Sequence, residues 1–142
     1  SAQGLTVVHA LAGEKAPLCL TAIPACVYVS PEIASVGLTQ ADCQQRGIEV
    51  KVGKALMGAN GRTLIAGGQR GFIKVVVSAE NGRALGAQFM CERATDMIDS
   101  FTVAIANGLT ATQLMRAVRP HPTFLEAVGE ALDALEGRAI HS

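Results

Sequence analysis

Residues 71–91, GFIKVVVSAENGRALGAQFMC, carry the strongest fold signal in the sequence. Phe72–Ser78 is a run of mostly β-branched and apolar residues, which predicts a strand. Asn81-Gly82 is a dipeptide preferred in tight hairpin turns, because such turns need positive φ. Ala84–Cys91 follows as the predicted partner strand. The stretch therefore predicts an antiparallel hairpin.

Further strands are predicted before this hairpin and mainly helices after it. The additional strands are Pro24–Val29, Ile33–Leu38 and Ile48–Leu56. The predicted helices are Ala2–Ala12, Thr39 (as N-cap) to Gly47, Arg93 to Asn107, Ala111–Val118, and Thr123 (as N-cap) to about Glu136. The glycine-rich stretch 58–71 predicts a loop. This order predicts an α+β fold, with an antiparallel sheet of about four to five strands and helices packed on one face.

Composition excludes several classes of function. The chain has 142 residues, 49% of them apolar, which predicts one globular domain. Twelve basic residues balance twelve acidic ones, so we expect neither nucleic acid nor a membrane surface as a partner. The sequence has no apolar run long enough to span a membrane and no signal-peptide pattern, so we expect a cytoplasmic location. Because the chain begins without Met and its first residues have the pattern of a helix already under way, we expect a piece of a longer protein.

Neither the cysteines nor the glycines form a recognisable site. The cysteines have no CxxC spacing and no nearby His at ligand spacing, so we expect reduced thiols and no metal; they are Cys19, Cys26, Cys43 and Cys91. Gly67–Gly71 leads into a predicted strand, whereas a dinucleotide-binding loop opens a helix. A nucleotide site is therefore not predicted here.

The segment His121-Pro122-Thr123-Phe124-Leu125-Glu126 holds the residues best suited to chemistry. Prolines on both sides restrict the backbone of His121, and imidazoles transfer protons near neutral pH. Two interpretations of Glu126 remain open. It completes a capping box with Thr123, or it holds the imidazole, and its two carboxylate oxygens allow both roles together.

The run from Ile23 to Thr39, IPACVYVSPEIASVGLT, resembles the opening of the C-terminal dimerisation domain of pyridine nucleotide-disulfide oxidoreductases. Three further stretches fit the same domain in order: Ala59-Asn60-Gly61-Arg62, Gly71-Phe72-Ile73-Lys74 and Leu85-Gly86. His121-Pro122-Thr123 with Glu126 completes the match. Within the family, the dihydrolipoamide dehydrogenases are most similar, although Arg119-Pro120 replaces the His-Ala that usually precedes their His-Pro-Thr.

The resemblance implies a domain organisation and a set of cofactors. Residues 1–20 would be the end of the preceding FAD-domain helix and a linker, and residues 21–142 the dimerisation domain. FAD and NAD would belong to the full-length parent, with none bound by this chain. The implied partners are a second copy in a homodimer, the FAD and NAD domains of the parent, and a 2-oxoacid dehydrogenase complex.

The resemblance also assigns roles to the His-Glu pair. His121 would be the acid/base that serves the redox disulfide of the partner subunit, and Glu126 would orient it. The backbone of His121 and Pro122 would lie near the flavin of the partner. The chain alone is expected to be inactive.

Two alternatives remain open at this point. The chain could be a non-catalytic dimerisation or docking module, or it could belong to another member of the family, such as a glutathione-type reductase or a soluble transhydrogenase.

Overall fold

The computed structural model describes residues 1–68 and 70–138, and within them five strands form a single sheet. The strands are β1 (Ala25–Val27), β2 (Glu32–Gly37), β3 (Val50–Leu56), β4 (Phe72–Ser78) and β5 (Ala84–Cys91). Their order is β1-β2-β5-β4-β3, and each neighbouring pair is antiparallel. The predicted antiparallel sheet is therefore confirmed. Residues 139–142, which include the end of the predicted domain, lie outside the described residues.

The predicted hairpin forms the centre of this sheet. Ile73 pairs with Phe89 and Val75 with Ala87 across β4 and β5. In the connection, the Gly82 N–H donates to the Ser78 carbonyl at 2.9 Å, and Gly82 has a φ of 70°. Glycine adopts this left-handed conformation without steric cost, which is why the Asn-Gly signal located the turn correctly.

The helices that build the core pack on one face of the sheet, as predicted. The described residues form seven helices in all, not every one of which belongs to the core: α1 (Ala2–Leu11), α2 (Gln40–Gln45), α3 (Gly61–Ile65), α4 (Ala94–Met97), α5 (Asp99–Ala106), α6 (Ala111–Met115) and α7 (Glu126–Ala134). Helices α4 and α5 lie against β2 and β5, where Phe101 meets Phe89 edge-on with ring centroids 5.9 Å apart. Helix α7 lies across β3 and β4.

The contact between α7 and β3 is close because β3 has a glycine there. A Cβ atom at Gly53 would lie 1.9 Å from the Ala131 carbonyl oxygen, so no other residue fits without moving the helix. One face of α7 is apolar and packs against the core: its buried residues are Ala127, Val128, Ala131 and Leu132. Because α7 follows directly on the His121 loop, this contact also places the candidate site.

Helix capping explains where the predictions hold and where they fail. Thr39 forms a full capping box with Asp42 at the start of α2, as its predicted N-cap role requires. The predicted loop 58–71 is wrong in its first half. Met57–Ala59 forms a 3-10 turn and α3 follows, because the Asn60 side chain caps the Thr63 N–H.

Two other predicted helices have different limits. The single helix predicted from Arg93 to Asn107 is two helices, α4 and α5, with Ile98 between them. The last helix begins at Glu126 rather than after Thr123, and it ends at Ala134 rather than at about Glu136.

Helix α1 lies outside the core. None of its residues is buried, and Leu5, Val7, Val8 and Leu11 are all more than half exposed. A ten-residue helix of this kind gains no stability from tertiary packing within the chain. Among the described residues, no helix combines the length and apolar character needed to cross a membrane.

Candidate functional site

His121 lies in the connection between α6 and α7, where the backbone is held by its neighbours. Pro120 and Pro122 flank it, and the His121–Pro122 peptide bond is cis. The Thr123 hydroxyl donates a 2.8 Å hydrogen bond back to the Pro120 carbonyl, closing a turn around the histidine. The imidazole is therefore carried on a turn rather than on an open loop.

The structure brings His121 and Glu126 into contact. The His121 Nδ1 atom lies 2.9 Å from the Glu126 Oε1 atom. The other oxygen, Oε2, accepts a 2.9 Å hydrogen bond from the Thr123 N–H. The Glu126 carboxylate thus makes both contacts that the sequence analysis left open, one with the imidazole and one with the Thr123 N–H.

The predicted capping box is only half formed. Glu126 reaches back to the Thr123 N–H as expected. The Thr123 hydroxyl does not cap the helix, because it donates to Pro120 instead. The helix N-cap is consequently Leu125, which makes no side-chain capping bond.

Hydrogen bonding determines the charge of Glu126 and thereby the tautomer of His121. The Thr123 N–H, and after it the His121 imidazole, lower the pKa of the Glu126 carboxyl below its usual value. A carboxylate only accepts hydrogen bonds, so Nδ1 of a neutral His121 must carry the proton. The Nε2 atom is then left with its lone pair free to accept a proton.

The imidazole is oriented by its own chain but faces outward. The His121 side chain is 79% exposed, whereas that of Glu126 is 31% exposed. Pro122 is exposed as well. A group approaching from outside this chain therefore reaches the free edge of the imidazole.

Beside the pair lies a cavity of about 320 Å³ between the end of β3, the start of α3 and the start of α7. Ala55, Leu56 and Ala59 form an apolar part of its wall. His121 and Glu126, with Glu130, form a polar part. The cavity thus combines a small apolar surface with an acid/base group at its edge.

Asn60 also lines this cavity; our sequence analysis named it only within a stretch that fits the family and gave it no role at the site. Its side-chain Nδ2 donates a 3.0 Å hydrogen bond to the carbonyl of Thr123, in the His121 loop. The available signal was local: Asn is one of the residues preferred as a helix N-cap, and Asn60 caps α3. The contact to Thr123, 63 residues further along the chain, had no such signal.

The four cysteines are free thiols in contrasting surroundings. Cys19 is exposed, and the hydroxyl of Thr21, 3.1 Å from its sulfur, lowers its pKa. Cys91 is buried, and desolvation raises its pKa to about 12. Residues 1–68 and 70–138 contain no group of three or more His, Cys, Asp and Glu side chains arranged to hold a metal ion.

Fold and sequence together define the class of this chain. Residues 23–132 match the family described as pyridine nucleotide-disulphide oxidoreductase, dimerisation domain. The chain therefore belongs to this family, and the five-stranded antiparallel sheet with its helices is the fold of that domain.

Its relatives include dihydrolipoyl dehydrogenases. That of Zymomonas mobilis is 40% identical over 143 residues, which cover 99% of this chain and 31% of the relative. That of Bacillus subtilis is 39% identical over 142 residues, covering 99% of this chain and 30% of the relative. The crystal structure of LpdA from Mycobacterium tuberculosis superposes with a TM-score of 0.85 at 25% identity, over 94% of this chain and 29% of that one. The chain thus spans about a third of the length of these oxidoreductases.

Proposed function

We propose that the chain is the interface domain of a FAD- and NAD-dependent disulfide oxidoreductase of the dihydrolipoyl dehydrogenase type. In this role it forms the homodimer and supplies His121 and Glu126 to the redox disulfide of the partner subunit. Residues 1–20 would join it to the FAD domain, and residues 21–142 would form the interface domain. A 2-oxoacid dehydrogenase complex would be the larger assembly that the parent enzyme serves.

The observation that carries the proposal is the 2.9 Å contact between Glu126 and an imidazole that is 79% exposed. Ion pairs on protein surfaces contribute little stability, so stability alone gives little reason to build this one. The pair instead has the geometry of a histidine base held by a carboxylate through Nδ1, on a side chain that is largely exposed.

This geometry supports proton transfer in dithiol oxidation. Nε2 of His121 takes the proton of one substrate thiol, and the thiolate attacks one sulfur of the partner's disulfide. The S–S bond breaks, a mixed disulfide forms, and the second enzyme sulfur leaves as a thiolate. The second substrate thiol then displaces the first enzyme sulfur and passes its proton to that sulfur. The substrate is left as a disulfide and the enzyme as one thiol and one thiolate, with the first proton still on His121. Glu126 stabilises the imidazolium that forms at the first step.

The surface of the chain supports a place in a larger assembly. Its accessible area is 8484 Å². A compact monomer of 14.7 kDa is expected to expose about 7,000 Å². The excess of about 1,500 Å² exceeds the ~800 Å² that one partner contributes to a standard protein interface. The apolar residues of α1 contribute to this excess, which fits a helix that packs against the FAD domain.

The cavity fits a role beside a flavin better than a role in holding a dinucleotide. The Glu126 carboxylate lines it, and its charge would repel the phosphates of FAD or NAD. His121 and Pro122 are both exposed residues, so a planar ring from another subunit could lie against them. FAD and NAD, bound by other domains of the parent, would supply the electron acceptors of the reaction.

The experiment that tests the proposal is His121→Gln in the full-length enzyme. Loss of general acid/base catalysis predicts a kcat for dihydrolipoamide oxidation lower by about 10²- to 10⁴-fold, with unchanged FAD content by absorbance. The matched control is His9→Gln, because His9 also lies 2.9 Å from a glutamate five residues later, Glu14. We expect this control to keep kcat within twofold.

The same variants separate the alternatives. A pure dimerisation or docking module would keep its kcat when His121 is replaced, which would remove His121 from the mechanism. A glutathione-type reductase or a transhydrogenase would show little activity with dihydrolipoamide even as the unsubstituted enzyme. The isolated chain is expected to be colourless and inactive, and bound flavin would contradict the assignment of FAD to other domains.

A further inference from the structure

We propose that Asn60 is a positioning residue for the His121–Glu126 pair and that it acts through Thr123. The inference rests on the proposed function and adds to it a third residue, from a distant part of the chain. Asn60 stands at the start of α3, and its side-chain amide joins that helix to the loop that carries His121.

Both ends of the Asn60 amide are used. The Oδ1 atom accepts hydrogen bonds from the Thr63 N–H at 2.9 Å and from the Thr63 hydroxyl at 3.1 Å. The Nδ2 atom donates to the Thr123 carbonyl at 3.0 Å. Asn60 is only 8% exposed, so water competes weakly for these bonds. The oxygen therefore caps α3, while the nitrogen holds the histidine loop.

Thr123 connects Asn60 to the acid/base pair. Its carbonyl accepts from Asn60, its N–H donates to Glu126, and its hydroxyl donates to the Pro120 carbonyl. These three bonds fix the backbone of Thr123 on both sides of its Cα atom. Without the Asn60 bond, the peptide that follows Thr123 can rotate. The N–H that holds Glu126, and with it the angle of the His121 imidazole, is then less well fixed.

If Asn60 served only to cap α3, its side-chain oxygen, which accepts from the Thr63 N–H, would be sufficient. Asn60→Ser keeps a good N-cap for α3 but is too short to reach Thr123. Asn60→Asp keeps the capping oxygen at the same position and replaces the donor with an acceptor that faces the Thr123 carbonyl. Two variants of different chemistry thus remove the same hydrogen bond while preserving the cap.

The matched control is Thr63→Val. It removes the Thr63 hydroxyl that bonds to Asn60 Oδ1, while the Thr63 N–H and the Asn60–Thr123 bond remain. Because the Thr63 N–H still has a capping oxygen in all three variants, a capping role alone predicts a normal kcat in each of them. A positioning role predicts that it keeps kcat within twofold, whereas both Asn60 variants lose about tenfold.

The test uses the full-length enzyme with dihydrolipoamide and NAD. We expect Asn60→Ser and Asn60→Asp to lower kcat about tenfold without changing the KM for dihydrolipoamide. Oxidation of NADH by an artificial acceptor that takes electrons from the flavin should be unchanged, because it needs no base at the dithiol. Thermal unfolding and FAD absorbance verify that each variant is folded and loaded.

A double-mutant cycle shows whether Asn60 acts through His121. If it does, Asn60→Ser costs less than twofold in a His121→Gln background. An unchanged tenfold loss there would mean that Asn60 acts elsewhere and would overturn the inference. Normal kcat in both Asn60 variants would also overturn the positioning role of Asn60. If His121→Gln still lowered kcat in that case, the proposed function would stand. Normal kcat in His121→Gln would remove the proposed function itself.

Discussion

Replacing Gly53 with Ala should displace α7 and with it the candidate site. The new Cβ atom would lie 1.9 Å from the Ala131 carbonyl oxygen and 3.1 Å from the Leu135 Cγ atom. The first contact is with backbone, which cannot rotate away as a side-chain end can. Helix and strand must separate by about 1.5 Å before this pair reaches ordinary van der Waals distance.

The cost of this separation follows from what α7 buries. Its inward stripe, Ala127, Val128, Ala131 and Leu132, is at most 2% exposed and packs against the sheet. Overpacking a core by one carbon usually costs 1–3 kcal/mol, and a backbone clash belongs at the upper end of this range. We therefore expect a loss of about 3 kcal/mol, which lowers Tm by about 12 °C for a chain of this size.

The same displacement should reach the His121–Glu126 pair of the candidate site. Thr123 lies just before α7 and accepts its hydrogen bond from Asn60 at 3.0 Å. A shift of about 1.5 Å would break a bond of this length. The full-length Gly53→Ala enzyme should therefore lose activity at temperatures at which it is still folded.

Gly129→Ala is the matched control on α7 itself. Its Cβ atom would meet only the end of the Arg119 side chain, 3.4 Å away, which can move. Because Ala is the better helix former, this variant should be as stable as the original chain or about 1 kcal/mol more stable. Thermal unfolding followed by circular dichroism measures both variants. Equal Tm values for Gly53→Ala and the unsubstituted chain would refute the reasoning.

Two further predictions concern titrating groups. Cys19, which is exposed and has a lowered pKa, should react first with iodoacetamide at pH 7, whereas buried Cys91, with a pKa of about 12, should react only on unfolding; mass spectrometry of the labelled peptides checks the order. Glu126 has a lowered pKa in the folded state, so it contributes stability above its unfolded pKa and loses it as the pH falls through the folded value. Below about pH 4.5, acid should therefore lower the free energy of unfolding of the Glu126→Gln chain less than that of the original chain. Urea unfolding at several pH values measures this, and an equal loss of stability with falling pH in the two chains would contradict it.

Local signals were enough to predict most of the fold. The β-branched run of β4, the Asn-Gly turn and the predicted partner strand β5 agree with one another, so tertiary contacts reinforce what the sequence already favours. Thr39 and Thr110 likewise begin their helices with capping boxes formed within four residues. Where the predictions agree with the structure, the contacts that determine it join residues close together in the sequence.

The predictions are wrong where a contact between residues distant in sequence supports the structure, or where a side chain forms a different hydrogen bond from the one expected. The glycine-rich composition of 58–71 favoured a loop, but the cap by Asn60 and its bond to Thr123 support helix α3. The expected cap by Thr123 lost to a bond with the Pro120 carbonyl, which only the turn around His121 brings within reach. The Asn60–Thr123 bond joins residues 63 apart, and the sequence around Thr123 does not show which of two nearby bonds its hydroxyl makes.

The pairing of Glu126 with both His121 and Thr123 explains why a carboxylate rather than an amide suits this position. A carboxylate accepts at both oxygens, so it can hold the Thr123 N–H and the protonated Nδ1 at once. A glutamine that kept its oxygen on the Thr123 N–H would present its NH₂ group to Nδ1. Nδ1 would then have to accept, the proton would move to Nε2, and the outward edge of the imidazole would be a donor instead of a base. Two hydrogen bonds at one side chain thus determine which end of an exposed histidine can take a proton.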